Sequence, residues 1–173
     1  MTKTYDFALR FRLPKSSQDP SSWIDRLYEA GCDDATIGLA RRGSIGLMFS
    51  RRASKASKAV ASAIADVRRA IKGAELIGAE PDLVNLADLA KYVGCTRQNL
   101  RKYAVGEARK TRAAFPPPTI VGPDSYWHLA EIGAWIGRHT PLKIDPALIE
   151  VAFQTSKVNL REQSRRLRKD MAA

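Results

Sequence analysis

Asn85-Leu-Ala-Asp-Leu-Ala-Lys-Tyr-Val-Gly-Cys-Thr-Arg-Gln-Asn-Leu-Arg-Lys-Tyr103 decides how this chain is read. Asn85 stands where a helix needs a side-chain acceptor for its first amides, and Asp88 follows three positions on, a capping-box-like arrangement. Leu86, Leu89, Ala90 and Val93 then recur at helical spacing and form a narrow apolar stripe. Gly94 stops that helix, and Thr96 caps a second one almost at once. In the second helix Leu100 faces inward, with Tyr103 or Ala104 beside it. Two short helices across a tight glycine-bearing turn make a helix-turn-helix.

The second helix leaves polar residues pointing outward, and their chemistry suits base edges. Arg, Gln and Asn make bidentate contacts to guanine or adenine in the major groove, and residues near a helix N-terminus usually reach them. Thr96, Arg97, Gln98, Asn99 and Arg101 are therefore the candidate base-reading residues. Lys102 and Tyr103 are the candidate phosphate contacts on the same helix, joined by Arg109, Lys110 and Arg112 from the basic segment beyond it. The net charge of +11 and a sequence pI near 10.0 favour a polyanionic partner.

Downstream, Phe115-Pro-Pro-Pro-Thr-Ile-Val-Gly122 is followed by Tyr126-Trp-His-Leu-Ala-Glu-Ile-Gly-Ala-Trp135. With the two helices over 86–103, this layout resembles the winged-helix DNA-binding domain of the excisionase and MerR-like families. In such domains a Phe-Pro step leads from the recognition helix into a two-stranded wing, an aromatic residue and a closing helix. Here Phe115-Pro116 matches the step, Ile120 to Trp127 the wing and Leu129 to Trp135 the closing helix. The resemblance covers about residues 82–140 and implies a double-stranded DNA partner. Phe115, Trp127, Ile132 and Trp135 read as its core, because large aromatics bury the most area in a small domain.

Two features depart from that pattern. The segment Gly106-Glu-Ala-Arg-Lys-Thr-Arg-Ala-Ala114 is long and basic, and either extends the recognition helix or forms a solvated loop. The wing tip, Gly122-Pro-Asp-Ser125, has no basic residue to place in the minor groove.

Residues 1–80 read differently. Tyr5, Phe7, Leu9, Phe11 and Leu13 alternate with polar or small residues, the signature of a half-buried strand. Asp19-Pro20 starts a helix with Trp23, Ile24, Leu27 and Ala30 on one face, closed by Gly31. Ala35, Ile37 and Leu39, then Ile45, Leu47 and Phe49, flank Arg41-Arg-Gly-Ser44 as a hairpin. A helix from Ser54 to Ile71 and a strand over 75–79 complete the order β-α-β-β-α-β, which resembles the ferredoxin-like split βαβ sandwich.

The aromatics share parity with the aliphatic residues of their strands, so they belong to the helix-covered face. The open face, carrying Asp6, Ala8, Arg10, Arg12, Ser44, Gly46, Met48 and Ser50, has no aromatic platform for stacking RNA bases. Its small side chains suit dimerisation or docking of a protein partner. Arg41, Arg42, Arg51 and Arg52 flank the hairpin and either keep it solvated or reach phosphates.

Asp145-Pro146 starts a final helix running to about Lys169. Phe153, Leu160 and Leu167 stand seven apart as an incomplete seam, interrupted by Ser156 and Gln163, so a strong coiled coil is not expected. Dimer packing near its start and fraying after Leu167 are expected.

The expected class is α+β, with a ferredoxin-like domain over 1–80, a winged helix-turn-helix over 81–142 and a basic helix over 143–173. The expected function is sequence-specific DNA binding by a bacterial or phage-type transcription regulator, working as a homodimer. A DNA-bending architectural factor of the excisionase kind, or an RNA- or protein-binding adaptor, are the alternatives. No carboxylate pair, nucleophile–base set, phosphate loop or metal-ligand spacing is present, so neither an enzyme nor a cofactor is expected. Cys32 and Cys95 belong to no Cys/His cluster and read as two small buried thiols in a reduced setting. His128 and His139 lack ligand-spaced partners and read as surface or capping groups. The opening residues lead into a strand instead of a signal peptide, and no apolar run is long enough to span a bilayer, so a cytoplasmic, nucleoid-associated protein without membrane contact is expected.

Overall fold

The period-two run at the N-terminus becomes β1 (Lys3–Arg12), an inner strand of a four-stranded sheet. The computed structural model describes every residue except 16, 17, 39–41, 109, 110, 112 and 173, and the side chain of Asp170. A single 3-10 turn (Pro20–Trp23) precedes the short helix α1 (Ile24–Glu29). Strands β2 (Ala35–Gly38) and β3 (Ser44–Ala53) follow, then α2 (Ala56–Ala70) and β4 (Glu75–Glu80). The sheet is antiparallel throughout, in the order β2-β3-β1-β4. Leu39 and Arg41 of the expected hairpin turn lie outside the described residues.

Parity assigns the two faces as the alternation requires. Tyr5, Phe7, Leu9 and Phe11 of β1 and Ile45, Leu47 and Phe49 of β3 are buried under α1 and α2. The register sets Phe7 opposite Phe49, and their rings stack 5.3 Å apart. Helix α2 contributes Ala59, Val60, Ala63, Ile64 and Val67, spaced by three and four along one face. Removing such side chains from water is the main favourable term for this half of the molecule. Ile24, expected on the inner face of its helix, is exposed, because the 3-10 turn at Pro20 shifts the helical phase.

Beyond Pro81 a second unit forms. Strand β5 (Leu83–Val84) pairs antiparallel with β6 (Trp127–His128), and α3 (Leu86–Val93), α4 (Arg97–Ala104) and α5 (Leu129–His139) enclose a second core. Leu89, Leu100, Leu129, Ile132 and Ile136 are fully buried there, with Trp127 and Trp135 nearly so. The expected wing is reduced to one bridge, Ile120 to Tyr126. Trp127 leaves that hairpin to pair with Val84.

The last helix, α6 (Pro146–Met171), is not a separate tail. Val151 enters the first core and the adjacent Ala152 the second, so one turn of α6 pins the two units together. The start of α6 is thereby docked within the chain, where a dimer contact was expected, and the helix continues past Leu167 to Met171. Phe153, Leu160 and Leu167 are 53%, 56% and 65% exposed, so the sevenfold seam faces away from the fold.

Candidate nucleic-acid interface

Helix α3 begins because Asn85 Oδ1 accepts hydrogen bonds from the Ala87 and Asp88 amides, at 2.8 and 2.9 Å. It ends because Gly94 takes a left-handed conformation at φ 65°. The Cys95 amide then reaches Ala90 O at 3.0 Å and the Gly94 amide reaches Lys91 O at 3.4 Å, the paired bonds of a Schellman turn. Chain direction changes at once, and Thr96 starts α4 by accepting the Asn99 amide at 3.1 Å. Leu100 and Tyr103 lock α4 onto the second core, and the Tyr103 ring meets Trp135 edge-on at 6.2 Å.

Thr96, Arg97, Gln98, Arg101 and Lys102 are all exposed, and Asn99 is half-buried. By helical spacing Arg97, Gln98, Arg101 and Lys102 share the arc opposite Leu100 and Tyr103, whereas Thr96 is the N-cap, four residues before Leu100. Tyr103 does not join them. Its ring is buried at 7% exposure, because position 103 falls one turn after Leu100 on the inward face.

The basic segment does not extend α4. Gly106, at φ 75°, closes the helix, with the Glu107 amide on Lys102 O at 2.8 Å and the Gly106 amide on Tyr103 O at 3.2 Å. Arg109, Lys110 and Arg112 lie outside the described residues.

The loop following Ile120 curls toward α4 and leaves a groove of about 610 Å³ between them. Its tip carries Asp124, whose carboxylate stands 3.9 Å from the Arg97 guanidinium. Both groups are more than half exposed, so this ion pair is weak. Phe115 closes the back of the unit, packing edge-on against Trp127 at 5.8 Å and Trp135 at 5.0 Å. The Trp127 indole donates to Pro116 O at 3.0 Å, which fixes the Phe-Pro step against β6.

No known family, curated protein or solved structure matches this chain. What it does must be argued from its own geometry.

Two polar clusters elsewhere were not foreseen. Arg51, considered for phosphate contact, points into the fold from the inward face of β3 and is 8% exposed. It donates to Asp34 at 2.8 and 2.9 Å, to Asp66 at 2.6 Å, to Ser62 at 3.0 Å and to Gly31 O at 2.7 Å. Burial works against its charge, but the bonds to Asp34 and Asp66 outweigh that and raise its pKa. A guanidinium so occupied has no donor left for a phosphate. Arg42 and Arg52 remain exposed near the two ends of β3.

The second cluster joins the units. Asp82 Oδ1 meets His128 Nδ1 at 2.7 Å and accepts the Ser156 hydroxyl, while Oδ2 accepts Asn159 Nδ2 at 2.7 Å. The residue types match a hydrolase triad, but the arrangement does not. Serine and imidazole both address the same carboxylate oxygen, and Ser156 Oγ lies 3.4 Å from the same Nδ1, so the ring does not stand between acid and nucleophile. The group works as a clamp, holding α6 and β6 to the link after β4. His128 stands at the N-cap position of α5 without a side-chain cap bond, its ring being held by Asp82, and His139 is exposed with its ring 5.6 Å from Trp135.

Cys32 is buried, and that burial pushes its thiol up to about 11. Cys95 is only half-buried, against the expectation for both thiols, and is raised by desolvation as well. Among the described residues no group of His, Cys, Asp and Glu could hold a metal ion, and no helix is long and apolar enough to cross a membrane.

Proposed function

We propose that this chain binds double-stranded DNA as a winged helix-turn-helix protein, with α4 lying in the major groove. The observation that carries the reading is the presentation of Arg97, Gln98 and Arg101 from a helix immobilised by Leu100 and Tyr103. Groups of this chemistry on the exposed arc of a rigid helix, Arg97 and Gln98 in its first turn and Arg101 in its last, match the donor and acceptor pattern of base edges. Lys102 adds a phosphate contact that positions without specifying. The loop tip acts as a spacer beside the groove, since Asp124 would repel a phosphate unless Arg97 neutralises it. In the same reading, β1 to β4 with α1 and α2 form a ferredoxin-like domain that scaffolds the reader. The role is that of a transcription regulator, and net charge spread over the whole chain supplies sequence-independent affinity.

Selection of bound duplexes from a random-sequence pool, followed by titration at several salt concentrations, tests this. One enriched sequence is expected, bound more tightly than unrelated duplexes. Arg97→Ala is expected to cost about 1–3 kcal/mol of discrimination at one base position. Lys102→Ala should weaken every duplex alike and lower the salt slope by about one. Equal affinity of the intact protein for all duplexes rules the regulator out. Unchanged discrimination in Arg97→Ala removes α4 as the reader.

A further inference from the structure

Two surfaces of this molecule are unexplained by DNA binding, and they complement each other. The first is a groove of about 1000 Å³ between the open face of the sheet and α3. Asp6, Glu80 and Asp88 line it, around an apolar floor that includes Met48, Leu83 and Tyr92. Met48 and Tyr92 are 59% and 43% exposed. Lys91 and Arg10 stand at its rim, 3.2 Å from Asp88 and 4.0 Å from Glu80. The field is nevertheless negative: burial, and then the charges of Asp88 and Glu80, raise the Tyr92 hydroxyl, and Lys91 opposes them only in part. A polyanion would be repelled here.

The second surface is the outer stripe of α6. Phe153, Leu160 and Leu167 span about 21 Å of helix at 1.5 Å per residue. Lys157, Arg161, Arg165 and Arg168 flank them, and the Lys157 ammonium sits 5.3 Å from the Phe153 ring centre. Glu162 is the sole carboxylate between 151 and 169, and it is turned inward, 2.9 Å from Arg165 and 3.4 Å from Arg68. The equal spacing about Leu160 would let two such stripes pair antiparallel, but that brings Arg161 of each helix together among further cations. Like charges at that distance cost free energy, so the stripe calls for an acidic surface.

We propose that the outer stripe of α6 in one copy seats in the groove between the sheet and α3 of a second copy. Leu160 and Leu167 cover Met48 and Tyr92, and the flanking arginines face Asp6, Glu80 and Asp88. The contact joins two different patches, so each copy offers one of each. It needs no nucleic acid and does not rest on the DNA reading.

Light scattering on the full chain after size exclusion, without DNA, tests it. The intact protein is expected to run at no less than twice its 19.1 kDa chain mass. Two variants each disable one surface: Leu160→Glu with Leu167→Glu, and Asp6→Lys with Met48→Lys. Each alone should fall to the single-chain mass while keeping the parent's melting temperature, because all four side chains lie on exposed positions. An equimolar mixture still contains one intact stripe and one intact groove, so it should recover twice the chain mass. A single-chain mass for the parent at its highest soluble concentration overturns the proposal. So does a mixture that stays at the single-chain mass, or association that survives Asp6→Lys with Met48→Lys.

Discussion

Helices α2 and α6 both pack on the four-stranded sheet, yet after its first two turns α6 buries the opposite kind of side chain. Helix α2 turns Ala59, Val60, Ala63, Ile64 and Val67 inward and leaves polar groups in water. Helix α6, beyond Val151 and Ala152, buries Thr155, Ser156 and Glu162 and turns Phe153, Leu160 and Leu167 outward. The difference lies in what each one covers. Helix α2 lies over the sheet face, where β1 and β3 present only side chains. Helix α6 runs along β4, an edge strand whose outward backbone groups have no neighbouring strand. Such groups must be hydrogen-bonded wherever water is excluded.

Asn159 does this directly. Its Oδ1 accepts the Ala79 amide and its Nδ2 donates to Ala79 O, both at 2.8 Å, as a paired strand would. Thr155 donates to Pro81 O, and Arg166 reaches Leu76 O at 3.4 Å. A helix face that substitutes for a strand has to be polar. It gains less from apolar burial and more from geometry, so it fixes the orientation of the two units narrowly.

The largest expected effect in this comparison is on the apolar helix. Ile64→Ala removes methylenes from a packed core and should cost about 2–5 kcal/mol in urea unfolding. A loss under about 0.5 kcal/mol, the usual range for surface changes, would show that α2 is not the apolar anchor described. Asn159→Leu is the corresponding test of α6. It keeps similar bulk but leaves the Ala79 amide and carbonyl unpaired and strips Asp82 of one donor. The expected cost is about 1–3 kcal/mol, smaller than for Ile64→Ala. If Asn159→Leu is neutral or stabilising, the polar face is tolerated and not required.

The same contrast explains how far the sequence could be read. Strand β1 and helix α2 were legible because their buried faces are apolar, and periodicity detects that arrangement. The α3–α4 helix pair was legible too, since Asn85, Gly94 and Thr96 are local signals whose partners lie within five residues. The docking of helix α6 within the chain was not legible because its buried face is largely polar and its apolar seam points outward. Nothing in the spacing of Thr155, Ser156 and Asn159 points to an edge strand some eighty residues earlier. Arg51 was assigned to the surface for a similar reason. Its inward parity was visible beside Phe49 and Leu47, but its partners Asp34 and Asp66 come from separate elements. Gly106 was the one available sign that α4 stops before the basic segment. Tyr103 could have been withdrawn from the phosphate contacts by its three-residue spacing from Leu100.

The smallest expected effect concerns the first turn of α6, where a partly exposed carboxylate meets the sheet. Glu150 accepts the Tyr5 hydroxyl at 2.8 Å and Lys3 Nζ at 3.2 Å. The Tyr5 hydrogen bond, followed by that from Lys3, holds its carboxyl below the ordinary value of 4.5. A folded-state value below the unfolded one means the contribution is full above the unfolded value and disappears as pH falls through the folded one. Urea midpoints should therefore decline from about pH 5 downward for the intact protein, and less steeply for Tyr5→Phe. Because the Glu150 side chain is 43% exposed, solvent and salt screen much of the interaction, and the slope difference should shrink further in high salt. Parallel pH curves for the two proteins at low salt would leave Tyr5–Glu150 as a contact without energetic consequence. The docking of α6 at its start would then rest on apolar packing, by Val151 and Ala152 with Ala147 and Leu148 beside them.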